Sequence, residues 1–189
     1  PRRHAADTRV VRGALTVSAA LAVVTFVNLM NPQFWDHKYS HKSVVHNFDM
    51  RVYYPVAKYF KELRFDGLYE ASVAAYVDDV PGASLNSLNH IEIRDLNTHY
   101  MVRVRDMHSK IEAVRSRFTP ERWRTFVQDM RYFRETMGTN DYFGSMHDHG
   151  GNATPVWFVV ARALFYFTTA NNTVLILGAL LDPLLLGLM

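Results

Sequence analysis

Gly13–Met30, GALTVSAALAVVTFVNLM, is an unbroken run of 18 uncharged and mostly apolar residues. That length matches one crossing of a bilayer's hydrocarbon core, which takes about 20 residues at 1.5 Å rise each. The last stretch, Val174–Met189 (VLILGALLDPLLLGLM), is nearly as apolar. Together they predict an integral membrane protein, mainly α, with about three transmembrane helices and a helical extramembrane domain between the first and second.

The flanks orient it. Arg2, Arg3, Arg9 and Arg12 stand against Asp7, so residues 1–12 form a basic tail expected in the cytoplasm by the positive-inside tendency. Residues 13–31 are the first span, residues 32–153 a domain on the periplasmic or extracellular side, and residues 155–189 a helical hairpin made of 155–170 and 173–189. The expected location is the inner (cytoplasmic) membrane. No small-x-small cleavage site follows the first apolar run, which exits through Asn31-Pro32 into Phe34-Trp35, so it is read as a retained anchor. The chain begins with Pro and stops inside an apolar run, which suggests a section of a longer gene product.

The net charge of +3 is that of the tail, leaving the remainder close to neutral. A basic face for nucleic acid is therefore not expected. With no cysteine, disulfides, thiolate zinc sites and iron–sulfur clusters are excluded.

Helical spacing begins at Met50, where Val52, Pro55-Val56, Tyr59-Phe60 and Leu63 recur at i, i+3, i+4 and i+7. Asp66-Gly67 breaks it, and Leu68–Val77 predicts a second helix ending at Asp78–Gly82. Ile91–Arg94 alternates as a short strand or extended loop does. His99–Phe118 reads as a helix with a Met101, Val104, His108, Ile111 and Val114 stripe. Thr119 then caps a helix whose Pro120 and Glu121 suit its first turn, running to Gly138. Residues 139–153 read as a loop.

Several side chains carry candidate chemistry. Arg162 and Asp182 fall inside the second and third apolar stretches, where an unpaired charge costs about 3 kcal/mol, and they are expected to pair or to meet a partner. His37 and His41 at i, i+4, and His147 and His149 beside Asp148, are the imidazoles that suit a metal. Neither group has the spacing of a specific metal motif. Asp49 opens the first amphipathic helix, where a carboxylate also suits the helix dipole.

The segment His46-Asn-Phe-Asp49-Met-Arg51-Val-Tyr53-Tyr54-Pro55, then Phe65-Asp66-Gly67-Leu68-Tyr69, with Asp148-His149-Gly150-Gly151-Asn152-Ala153-Thr154-Pro155, resembles C-type glycosyltransferases. These are membrane enzymes that take a sugar from a polyprenyl-phosphate donor. The resemblance covers roughly residues 13–80 and 148–170. It implies that Asp49 is the general base that deprotonates the acceptor hydroxyl, and that a cation such as Arg51, Lys58 or Arg162 holds the donor phosphate. Two functions follow. One is an accessory subunit bracing a larger membrane complex (a respiratory or photosynthetic one, for example), with Arg162, Asp182, Arg51 and Lys58 meeting lipid or partner subunits. The other is the N-terminal part of such a transferase. Partners are expected to be other integral membrane subunits and membrane lipids, with bound lipid and no cofactor.

Overall fold

The structure, a computed structural model, describes residues 8–27, 34–181, 184 and 187. Helix α1 (Thr8–Val27) carries Arg9 and Arg12 in its opening turns. Its uncharged part, from Gly13 to Val27, is about 22 Å long at 1.5 Å per residue, short of the ~30 Å of a hydrocarbon core. The other two apolar stretches form α7 (Pro155–Phe165), of 11 residues, and α8 (Asn172–Ala179), of 8. At about 16 and 12 Å they are shorter still. Among the described residues no helix is long and apolar enough to cross a membrane. The expectations of three spans, of an integral membrane protein and of an inner-membrane location are corrected accordingly.

The apolar side chains of α7 and α8 have another destination. Trp157, Ala161, Phe165, Val174 and Leu175 are buried, packed on α2 (Asn47–Leu63). A Cβ on Gly178 would stand 2.5 Å from Phe165 Cζ and 2.8 Å from Met50 Cε, so a larger residue would have to push both side chains aside. These residues are greasy because they complete a core. Local signals start both helices: Thr154 Oγ1 accepts from the Trp157 amide at 3.3 Å, and Asn171 Oδ1 from the Val174 amide at 3.0 Å.

Helix α2 is the axis of the fold, with α3 (Leu68–Asp79), α5 (Pro120–Met137), α7 and α8 packed around it. The His46 ring caps it, accepting from the Asp49 amide at 3.3 Å. Pro55 inside it cannot donate to the Arg51 carbonyl, and the helix kinks at Tyr59 (φ −116°, ψ 24°). Helix α3 is buried from Leu68 through Ala75, between α2, α5 and α4 (His108–Arg115). Thr119 caps α5 as expected, accepting from the Arg122 amide at 3.3 Å.

The single helix expected over His99–Phe118 is not formed. Residues Glu92–Arg94 (β3) and Met101–Arg103 (β4) make an antiparallel hairpin with Ile93 opposite Val102. His99 turns it at φ 61°, which a helix does not accommodate. Only α4 remains of the expected stretch. The loop expected at 139–153 begins as α6 (Thr139–Gly144). His37 and His41, expected on one helical face, lie on a small hairpin, Trp35–Asp36 (β1) with His41–Lys42 (β2).

Inside the helix cluster sits one fully buried ion pair. Lys58 Nζ lies 2.7 Å from Asp129 Oδ2, at 1 % and 0 % exposure. Asp129 also accepts from the Tyr59 hydroxyl at 2.6 Å and the Ala170 amide at 2.8 Å. Lys58 also donates to the Tyr54 hydroxyl and to the Thr168 carbonyl. Burial pushes the Lys58 ammonium below its usual value, and Asp129 opposes the shift. Burial, then Asp129, raises both Tyr54 and Tyr59, keeping them protonated donors. Asp129→Asn keeps an acceptor oxygen but strands the ammonium, and is expected to cost about 3–5 kcal/mol in urea unfolding. Adding Lys58→Met should recover part of that loss; no recovery would show that the stranded charge is not what destabilises the single variant.

Candidate functional site

Where the C-terminal half of α2 meets α7, a cavity of about 860 Å3 opens to the surface. From α2 come Val56, Ala57, Phe60 and Lys61, with Arg64, Phe65 and Leu68 following; α7 supplies Pro155, Phe158, Val159 and Arg162. Leu96 and His99 from the β3–β4 turn, and His149, Gly150, Gly151 and Ala153 from the loop before α7, complete it. The lining is mostly apolar and contains Lys61, Arg64, Arg162, His99 and His149 but no carboxylate.

Lys61 lies in the last turn of α2, Arg64 is its C-cap and Phe65 follows directly, while Arg162 on α7 is exposed with its guanidinium 5.2 Å from the Tyr166 ring. The nearby acids are engaged elsewhere. Asp66 binds Asn97 at 3.0 Å and Arg117 at 3.5 Å; burial pushes its carboxyl up, but these partners outweigh burial and hold it below the usual value. Glu62 pairs with Arg122 at 2.6 Å. No ion pair to Lys61, Arg64 or Arg162 is formed among the described residues. The rings of His99 and His149 lie 5.9 Å apart.

Backbone strain gathers here too. Three described non-glycine residues have positive φ, and two of them, Arg64 (φ 56°) and His99 (φ 61°), line the cavity. Arg64 ends α2 at ψ −142°, a region nearly reserved for glycine and costing a larger residue about 1–3 kcal/mol. Such strain collects where a side chain must be presented to a ligand.

The residues singled out from sequence fall in several places. Asp49 is about half exposed, its carboxylate 2.8 Å from His46 Nδ1, and it does not line the cavity. Val56, the first α2 residue in the wall, stands seven residues further along the helix, about 10 Å of rise. Lys58 belongs to the buried ion pair. Arg51 is fully buried between the rings of Tyr69 and Tyr142, at 5.3 and 5.0 Å. Arg162 is on the rim, and Asp182 lies outside the described residues, so their pairing does too.

The histidines are dispersed. The His37 amide donates to the Thr136 carbonyl at 2.7 Å, and the His41 ring stacks on Tyr39. His147 Nε2 meets the Glu92 carbonyl at 3.1 Å, whereas His149 faces His99. Among the described residues no group of three or more His, Asp or Glu is placed to hold a metal ion.

Sequence reasoning missed Lys61, Arg64 and His99. The signal for the first two was legible: two basic residues and two phenylalanines, Phe60 and Phe65, within one and a half helical turns. His99 had none, because the hairpin that delivers it was read as helix. Compared with known proteins, the chain matches no family model, no curated protein and no solved structure.

Arg64→Gly removes both the strain and the charge, whereas Arg64→Ala removes only the charge. The glycine variant is expected to be more stable than the alanine variant by about 1–2 kcal/mol in thermal unfolding. Equal stability would show that the Arg64 backbone is relaxed.

Proposed function

We propose that this chain binds an amphiphilic phosphate of the polyprenyl-phosphate class and forms part of a transferase that uses such a sugar donor. One observation carries the reading: an apolar cavity of about 860 Å3 whose charged residues are all bases, two of them on strained backbone. Ligand pockets of 300–1,000 Å3 are typically apolar with a few placed polar groups. An isoprenoid chain would fill the space between Val56, Phe60, Leu68, Leu96 and Phe158. Its phosphate would be held at the rim by Lys61, Arg64 and Arg162, where charge-assisted hydrogen bonds contribute about 1.5–3 kcal/mol each.

Farnesyl phosphate in titration calorimetry is the direct probe. Arg64→Ala and Arg162→Ala are each expected to weaken it by at least about tenfold, and farnesol and inorganic phosphate should bind far more weakly than the two joined. Farnesol binding as tightly as its phosphate, or unchanged affinity in both variants, would overturn the reading. In the transferase, Asp49 is the candidate base and His46 its positioning partner. Asp49→Asn is expected to lower sugar transfer by about 100- to 10,000-fold while leaving farnesyl phosphate affinity unchanged; retained transfer would limit this chain to donor binding.

A second reading, an accessory subunit bracing a larger assembly, draws on α1. Leu15, Val17, Leu21 and Val24 are 59–70 % exposed, and an exposed apolar surface of this kind marks an interaction site. Leu15→Lys with Leu21→Lys should then release the chain from its assembly in sedimentation, with farnesyl phosphate binding intact.

A further inference from the structure

Arg51 is the most heavily buried cation of the fold and the least explained. Its side chain is 0 % exposed, and among the described residues none of its three guanidinium nitrogens makes a well-aligned hydrogen bond. No carboxylate among the described residues reaches it within ion-pair distance. The rings of Tyr69 and Tyr142 flank it at 5.3 and 5.0 Å. Their faces attract the cation but accept none of its N–H groups in the plane of the guanidinium.

The side chains packed on it are phenols. The Tyr69 hydroxyl is buried without a hydrogen-bond partner. Burial pushes it up to about 12, with Arg51 opposing and Asp148 reinforcing the shift, so it keeps its proton at neutral pH. The Gly150 amide lies against this hydroxyl. Gly150 has φ +91°, and a Cβ there would be strained and would press on Leu96 at 3.3 Å. The Tyr142 hydroxyl donates to the Ser72 carbonyl at 3.0 Å and lies beside the Arg51 side chain without the alignment of a hydrogen bond to it. Lys58, two helical turns along α2, shows the contrast: as deeply buried, it has Asp129, Tyr54 and Thr168 around it.

We infer that the Arg51 guanidinium and the Tyr69 hydroxyl form a buried site for a small monovalent anion of the halide class. A guanidinium cannot shed its proton to escape burial, so a counter-ion must come from solution where the fold provides none. Full burial of both side chains favours a small ion over one of gluconate size. The site is separate from the cavity rim, since Arg51 and Tyr69 do not line that cavity. An ion there would offset the buried charge and so couple solution chloride to stability.

Thermal unfolding of the 189-residue chain at fixed ionic strength, with sodium chloride replacing sodium gluconate, tests this. A ligand that binds only the folded state raises Tm in a saturable way; the expected rise is about 5 °C at 100-fold excess over the dissociation constant. Bromide should act alike, and Tyr69→Phe should move the half-saturating chloride concentration up by about tenfold. Arg51→Met should abolish the dependence. Should Arg51→Met fail to fold, chlorine-35 line broadening on the wild-type chain, reversed by bromide, decides the matter together with Tyr69→Phe. Identical melting in chloride and gluconate, a chloride effect that survives Arg51→Met, or absent chlorine-35 broadening would each overturn the inference.

Discussion

The ion pair between Lys58 and Asp129 holds the helices in register. Its ammonium lies on α2, its carboxylate on α5, and the groups that complete it, the Thr168 carbonyl and the Ala170 amide, lie between α7 and α8. Three parts of the chain more than 35 residues apart converge on one buried pair. Desolvating both charges is expensive, and the cost is offset only if every remaining donor and acceptor is met. Tyr54 and Tyr59 meet them from the same helix. The arrangement has one geometry, which gives the apolar helices a specific docking position that greasy surfaces alone would not define.

That docking position shapes the cavity. With α7 fixed against α2, Phe158, Val159 and Arg162 face Val56, Phe60, Lys61 and Arg64 across a gap floored by Leu68 and closed by the glycine loop. Ion pairs elsewhere in the fold use up the acids. Asp79 pairs with Arg131 and Arg134, Asp78 with Arg115, and Glu62 with Arg122. The cations left at the cavity rim are therefore a local excess in a domain that is nearly neutral as a whole. Net charge did not reveal them, since it sums over pairs that only the fold creates.

The two buried cations of α2 make opposite cases. Lys58 is met by protein groups and acts in packing; Arg51, seven residues earlier, is packed between phenol rings. In the sequence the two look alike, each a basic residue within an amphipathic helix. Asp129 was legible in principle, as an acid within the apolar stripe of Phe126, Met130 and Phe133 on α5. An acid on a core-facing stripe calls for a buried cation, but nothing local says which.

Local chemistry was written in the sequence. The Thr119-Pro120 start of α5 and the break at Asp66-Gly67 are both found in place, because capping and turn conformations depend on a few neighbouring residues. The mainly helical character followed from the same signals. The tertiary structure alone decided what the apolar stretches of α7 and α8 are for. Hydropathy measures how strongly a segment avoids water and is silent about what replaces the water, so a short helix completing a core and the start of a span read alike. The β3–β4 hairpin was hidden for a related reason, since its pairing is set by cross-strand neighbours such as Ile93 and Val102 and not by spacing along the chain. The cavity and the Arg51 site belong with it: each is made by residues from two or more segments, brought together only by long-range burial.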